Sequence, residues 1–479
     1  MPRKARGATL WEKDFPMTSD TETAGPSPAD RRYFTVWRWH FYASLYVIPF
    51  LVMLSVTGLI MLWVSSMTGL SGERTAVPVG PQMLAPSALQ TAAEAAVTDG
   101  RAAQYIEPMA EDRAAVFRID GAEGPMTVVI DPYTGAVLDS FVWRAGWYDF
   151  ATEIHGTLLI GDLGDWLIEI AASLGIILTV TGIWLHWPRR GATWKTALAP
   201  RPTLSSRGGW KALHGAVGMW TSALLVVFLL SGLSWAGIWG GKLVQAWSTF
   251  PAEKWVAPLS DKTHADMNHG AAKEVPWGLE QTPLPESGSD AGAGGLAGRP
   301  VTIDTVAAYA RGLGFDGRFQ LSIPQDDTGV WTVSHDSMSN DGPDPSADRT
   351  IHIDQYTGHV LADIAYADYS AWAKLMTYGI AFHEGDMGDW NLALNTVFCL
   401  AMIFLPVSGL VMWWKRRPAR AARLAAPPAA QGQAFWWGAA ALVVVLGAAF
   451  PLGGAAILAI VLLDLILLRR MPALKRVLS

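Results

Sequence analysis

Ten histidines occur in the chain, and five of them, His40, His155, His186, His214 and His383, fall in or beside long apolar runs. An ionisable side chain in such a run is costly unless it faces a partner, so a buried polar or ligand role is the default expectation. Taken alone, any one of them would serve equally well as an interfacial residue snorkelling to the head groups. Their spacing carries more information. His40 precedes Gly58, and His214 precedes Gly232, by the same eighteen residues. At about 3.6 residues per turn this is five whole turns, so each histidine shares a helix face with a Ser/Thr-Gly step about 27 Å further along. His155 and His383 each precede a Gly-Asp-x-Gly-Asp-Trp motif, at 161–166 and 385–390. Aligning those motifs places His383 opposite Leu159, one helical turn away from His155.

Two histidines at equal depth on neighbouring helices are what bis-imidazole haem ligation needs. His40 with His214, and His155 with His383, are therefore candidate axial pairs. Gly58 and Gly232 belong to the His155/His383 level, and Gly182 and Gly409 to the His40/His214 level. Each helix is thus expected to give an imidazole to one haem and a surface without a Cβ to the other. Ser/Thr-Gly pairs are also ordinary contacts between membrane helices. His186, whose counterpart in the second half is Trp413, competes for the His40/His214 level. Arg38 and Lys211 flank those histidines, as propionate partners or as positive-inside anchors. His264, Met267 and His269 are metal donors by type, but their setting reads as a solvated loop. No chemistry is expected of His335, His352 or His359. The single cysteine, Cys399, excludes an internal disulfide and a four-cysteine zinc or iron–sulfur site.

The elements that must position these residues are membrane helices. Of the 479 residues 51% are hydrophobic and only 16% charged, which describes a polytopic membrane protein carrying some soluble mass. The net charge of −6 and the scattered Lys and Arg clusters exclude a nucleic-acid surface. Spans are expected at roughly 37–64, 164–187, 212–239, 389–414, 435–450 and 452–469, the last two as a hairpin. Basic clusters at Arg31–Arg32, between the second and third spans, after the fourth and at the C-terminus put both termini in the cytoplasm. The first span reads as an uncleaved anchor behind a disordered tail, 1–35. The resulting order is span 36–64, insertion 65–150, span and lead-in 151–187, loop 188–211, span 212–239, insertion 240–382, span and lead-in 383–414, loop 415–434, hairpin 435–469 and tail 470–479.

Both insertions pair a helical segment, Pro86–Thr98 or Ile303–Leu313, with alternating strands around an Asp-x-Tyr-Thr-Gly turn, at 116–140 and at 330–336 with 349–364. Each is expected to be its own α+β module. Glu280–Gly298 reads as a mobile Gly/Ser/Ala/Pro loop, and Trp255 and Trp277 as a possible docking surface. The repeated unit of helix, module and helix implies internal duplication in one orientation.

The combination resembles the PepSY-associated transmembrane family of bacterial inner membranes, over nearly the whole chain up to about Pro418. The residues that carry the likeness are His40 with Thr57-Gly58, His155 before Gly161-x-x-Gly164-Asp-Trp, His214 with Ser231-Gly232, and His383-Glu-Gly. To these are added Ser408-Gly409 with its Met-Trp-Trp-Lys-Arg-Arg417 end, and the turns Asp131–Gly135 and Asp354–Gly358. The resemblance implies a helical bundle with two periplasmic PepSY-like modules, two b-type haems, and reduction of a ferric siderophore or other ferric chelate. No dinucleotide fingerprint is present, so the donor would be quinol or a cytoplasmic flavoprotein. The rival readings are a non-redox PepSY protein that binds peptides or regulates a peptidase, and a siderophore or metal permease.

Overall fold

The computed structural model describes residues 28–189, 191–247, 258–268, 273–417, 424–427 and 437–466. The expected N-terminal tail before Pro28, the basic positions Arg190, Arg420, Arg423 and 469–476, and Trp255 and His269 lie outside the described residues. In chain order the helices are α1 (Pro28–Thr68), α2 (Pro86–Ala95), α3 (Trp147–Thr157), α4 (Asp162–His186), α5 (Trp194–Leu198) and α6 (Arg207–Leu233). They continue with α7 (Ile303–Gly312), α8 (Ala371–Glu384), α9 (Asp389–Arg416), α10 (Trp437–Ala449) and α11 (Pro451–Ile466). The strands are β1 (Arg101–Ile106), β2 (Ala115–Gly121), β3 (Gly124–Ile130), β4 (Val137–Val142) and β5 (Leu259–Thr263). After them come β6 (Pro283–Pro285), β7 (Gln320–Ser322), β8 (Val330–His335), β9 (Arg349–Asp354) and β10 (Val360–Ala365).

Among the described residues four helices, α1, α4, α6 and α9, are long and apolar enough to cross a membrane, with mean hydropathy between 1.9 and 2.4. At about 1.5 Å per residue, a hydrocarbon core about 30 Å thick needs about 20 residues. Six spans were expected, but the apolar hairpin α10–α11 has helices of 13 and 16 residues, short of that length among the described residues. The third span also ends early. α6 stops at Leu233, and the chain turns through Ser234–Ile238 into a π-helical turn, Trp239–Val244; at this junction the backbone N–H groups of Gly237, Ile238 and Trp239 donate to Asp165 and Glu169 of α4.

The chain packs as two compact units. One comprises Met1–Val52, Ile170–Leu229 and Ala401–Ser479; the other comprises Met53–Glu169 and Leu230–Leu400. Inside the second unit β5 and β6 pair with each other, and the other strands of both insertions form one continuous antiparallel sheet. Its order is β10-β9-β8-β7-β1-β2-β3-β4. β1 and β7 join the halves, with Gln104 opposite Ser322, Tyr105 opposite Leu321 and Ile106 opposite Gln320. The Gln104 amide donates to Gln320 Oε1 at 2.7 Å across this seam. Sequence reading placed the outer strands and missed β1 and β7, which are short and carry polar residues on one face.

Alternation along the strands gives the sheet one apolar face. Tyr105, Phe117, Ile119, Leu321, Val333, Ile351 and Ile353 from the strands pack with Leu89 and Ala93 of α2 and Val306, Ala307 and Ala310 of α7. Each helix begins where expected, and Asp304 accepts from the Ser87 backbone and hydroxyl at 2.8 and 2.6 Å, tying their N-termini together. The two Asp-x-Tyr-Thr-Gly turns match in detail. Asp131 and Asp354 accept from the backbone N–H two residues on, and Gly135 and Gly358 adopt φ of 72° and 70°, which L side chains resist.

The stretch expected to be a mobile loop is packed. Glu280, Thr282 and Leu296 are buried, β6 lies within it, and Leu296 N–H donates to the Gly358 carbonyl at 2.8 Å. Its glycines serve as turns, with positive φ at Gly292, Gly294 and Gly295. Trp277, expected on a docking surface, is 3% exposed and its indole N–H donates to Ser234 O. The sheet region also buries Arg318 against Glu73 and Asp341, and a charge held this way is costly to leave unpaired.

Candidate functional site

Four histidines share one local geometry. In the first unit His40 Nδ1 lies 2.9 Å from Thr181 Oγ1, and His214 Nδ1 lies 2.8 Å from Ser408 Oγ. In the second unit His155 Nδ1 lies 2.8 Å from Thr57 Oγ1, and His383 Nδ1 lies 2.8 Å from Ser231 Oγ. Every hydroxyl belongs to the residue just before one of the four expected glycines. A Cβ on Gly182 would stand 3.3 Å from His40 Cε1, on Gly232 3.5 Å from His383 Cε1, on Gly58 3.7 Å from His155 Cε1, and on Gly409 3.9 Å from His214 Cε1. The pairs run between helices: α1 with α4, α1 with α3, α6 with α9 and α6 with α8.

The hydroxyls fix which ring nitrogen carries the proton. Thr57 donates its hydroxyl to Met53 O at 2.8 Å, Thr181 to Ile177 O at 2.7 Å, and Ser408 to Leu405 O at 2.9 Å. A hydroxyl has one proton, so towards the imidazole each of these oxygens accepts, and Nδ1 is the protonated nitrogen. In the neutral ring the lone pair then lies on Nε2. This is the tautomer and anchoring that metal-ligating histidines show.

Each pair sits within one unit. The His155 and His383 rings are 6.4 Å apart between centroids and perpendicular, at 85°. The indole of Trp235 meets His383 edge-on at 5.4 Å. His40 and His214 lie within electrostatic reach of each other. The one-turn offset between His155 and His383 is absorbed by the backbone after each helix. α3 ends after Thr157 with Leu158 and Leu159 in left-handed conformations, whereas α8 runs on to Glu384 and stops at left-handed Gly385. The α8 end is held by α9, because the buried Asn395 amide donates to the Phe382 and His383 carbonyls at 2.7 and 3.1 Å.

His186 is placed differently. Its Nε2 lies 3.0 Å from the Ala197 carbonyl, an acceptor only, so Nε2 carries the proton and is occupied. Its Nδ1 abuts Gly215, where a Cβ would clash. Arg38 donates to the Tyr42 hydroxyl at 3.1 Å and to the Pro427 carbonyl, and Lys211 stands over the Tyr33 ring at 5.7 Å. The hydroxyls of Thr57, Thr181, Ser231 and Ser408 were not assigned a role from sequence, although a Ser or Thr before each of four equivalent glycines was the available signal.

Four apolar helices of spanning length, a large antiparallel sheet with its helices, and histidines paired between the helices define a polytopic membrane protein with an α+β region. The chain belongs to the family described as the PepSY-associated TM region, which it matches over residues 37–416. No curated protein matches the chain.

Proposed function

We propose that the chain is a di-haem inner-membrane oxidoreductase, passing electrons from quinol or a cytoplasmic flavoprotein to a periplasmic ferric chelate such as a ferric siderophore. The observation that carries this reading is the 6.4 Å separation of the His155 and His383 rings. Two imidazoles facing each other across one metal, with bonds of about 2.0 Å and about 1.1 Å from each Nε2 to its ring centre, stand about 6.2 Å apart. The donor set agrees. No third His, Cys, Asp or Glu joins either pair among the described residues, and two axial imidazoles are what a metalloporphyrin takes.

His155 and His383 would hold one haem, and His40 and His214 the other. When bound, the group supplies one-electron transfer. The chain's own residues set the ligands. Thr57, Thr181 and Ser408 hold Nδ1–H of His155, His40 and His214 and leave Nε2 basic, and Ser231 contacts His383 Nδ1 and keeps that ring from turning. Gly58, Gly232, Gly182 and Gly409 let the imidazoles lie against the neighbouring helix. His186, committed through Nε2 to Ala197, is left out of the pair.

The deciding experiment is the reduced-minus-oxidised absorption spectrum of purified protein with a haem count. Low-spin b-type bands at about two haems per chain support the reading, and colourless folded protein overturns it. His155→Ala should then abolish ferric-chelate reduction while one haem remains, and an unchanged rate would rule out that pair as the exit.

A further inference from the structure

We propose that His264 and His352 form a binding site for a late first-row transition-metal cation of the Zn²⁺ or Cu⁺ kind, built into the polar face of the eight-stranded sheet. The proposal is independent of the haem reading and uses none of its residues. The face opposite α2 and α7 is polar yet buried. Cross-strand partners run Arg118–Gln104–Ser322–Thr332–His352 over five strands, and Gln320–Ser334–Thr350 beside them. Thr332, Thr350 and His352 are 5%, 1% and 0% exposed. Burying such a row is costly unless every group has a partner.

His264, first residue of a 3₁₀ turn over His264–Met267, brings its ring to this row, with its Nε2 2.9 Å from His352 Nε2. Its Nδ1 faces the Thr282 carbonyl at 3.0 Å and Oγ1 at 2.9 Å, and Thr282 Oγ1 itself donates to Leu279 O at 2.7 Å. Both partners accept, so Nδ1 carries the proton and the His264 Nε2 lone pair points at His352. On the far side His352 Nδ1 lies 2.9 Å from Thr332 Oγ1, a hydroxyl that can donate or accept. Moving the His352 proton from Nε2 to Nδ1, towards Thr332, turns both Nε2 lone pairs towards one point with no proton lost. A tetrahedral ion with metal–nitrogen bonds of about 2.0–2.1 Å needs these nitrogens about 3.3 Å apart, an opening of about half an ångström.

Access and further donors are at hand. A cavity of about 190 Å³ is lined by His264, Thr332, Thr350 and Met267. Met267 lies three residues after His264, and residues so spaced on a 3₁₀ turn eclipse each other. The Thr350 hydroxyl, almost wholly buried, has no hydrogen-bond partner among the described residues. The lining also holds the charged groups Asp266, Arg118 and Glu274, the last paired with Arg144. Imidazoles with a thioether favour zinc or copper over magnesium or calcium.

The test is equilibrium dialysis of the full-length, chelator-treated protein in detergent against micromolar Zn²⁺, with bound metal measured by mass spectrometry. One equivalent is expected on the wild type and more than a hundredfold weaker retention on His264→Gln and on His352→Gln, with the far-ultraviolet circular dichroism unchanged. A wild type that retains no equivalent, or Gln variants that retain it equally, overturns the proposal. Zinc-edge X-ray absorption on the wild type decides the matter if either variant fails to fold: two imidazole nitrogens at about 2.0 Å are expected, and a shell without imidazole overturns it.

Discussion

Ser408 Oγ donates to the Leu405 carbonyl at 2.9 Å and faces His214 Nδ1 at 2.8 Å, so one hydroxyl ties the imidazole of α6 to the backbone of α9. Ser408→Ala removes the acceptor and leaves the histidine. The His214 ring then loses its fixed tautomer and orientation, a loss that typically costs ten- to hundredfold in metal affinity or activity. The expected result is weakened retention of one haem or a shifted midpoint potential for it, read by redox titration, with the second haem unchanged. Ser408→Thr keeps the hydroxyl and should restore the wild-type titration. Identical titration curves for wild type and Ser408→Ala would show that the hydroxyl is only a helix contact.

Gly182 makes the closest of the four glycine approaches, its missing Cβ standing 3.3 Å from His40 Cε1. Gly182→Val adds a branched side chain there and pushes the imidazole off Thr181. One of two haems per chain should be lost, by pyridine haemochrome assay, with little loss of folded protein. Two haems retained in the valine variant would mean that the ring can move without leaving its ligand position.

His186 and His214 are separated by the same assay. His186 Nε2 is held by Ala197 O, whereas the His214 Nε2 lone pair is left free by the Ser408 contact at Nδ1. His186→Ala should therefore keep both haems, and His214→Ala should lose one. The reverse outcome would make His186 the ligand.

These contrasts show what was readable in the residues alone. That His40 shares a helix face with Gly58, and His214 with Gly232, follows from spacing, because a helix converts eighteen residues into a fixed face and distance, whereas His155 and His383 were marked only by the motifs that follow them. The hydroxyls were hidden because Ser and Thr beside Gly are common in membrane helices for packing alone. β1 and β7 escaped because three to six residues with a polar face give too few alternations to stand out, and only the joining of the insertions makes them strands. His352 looked inert for a related reason: its partner His264 is 88 residues away, and nothing local announces the meeting.

Asp386, between α8 and α9, gives the sheet unit a pH dependence. Burial raises its carboxyl to about 7, against the lowering effect of Arg318 and Arg74. In the folded chain it keeps its proton between pH 4 and about 7, where the unfolded chain has lost it. Stability from this group is therefore complete below about pH 4 and falls as pH rises towards 7. The buried histidines work the other way, since His264, lowered to about 4, is neutral when folded and charged when unfolded over much of that range. Asp386→Asn isolates the carboxyl, because the histidine contribution is common to both proteins. The asparagine variant should match the wild type near pH 4 and exceed it at pH 8 by on the order of 2–4 kcal/mol. Melting curves of the two proteins at both pH values give the difference. A gap that does not change with pH would mean that Asp386 is already ionised in the folded state.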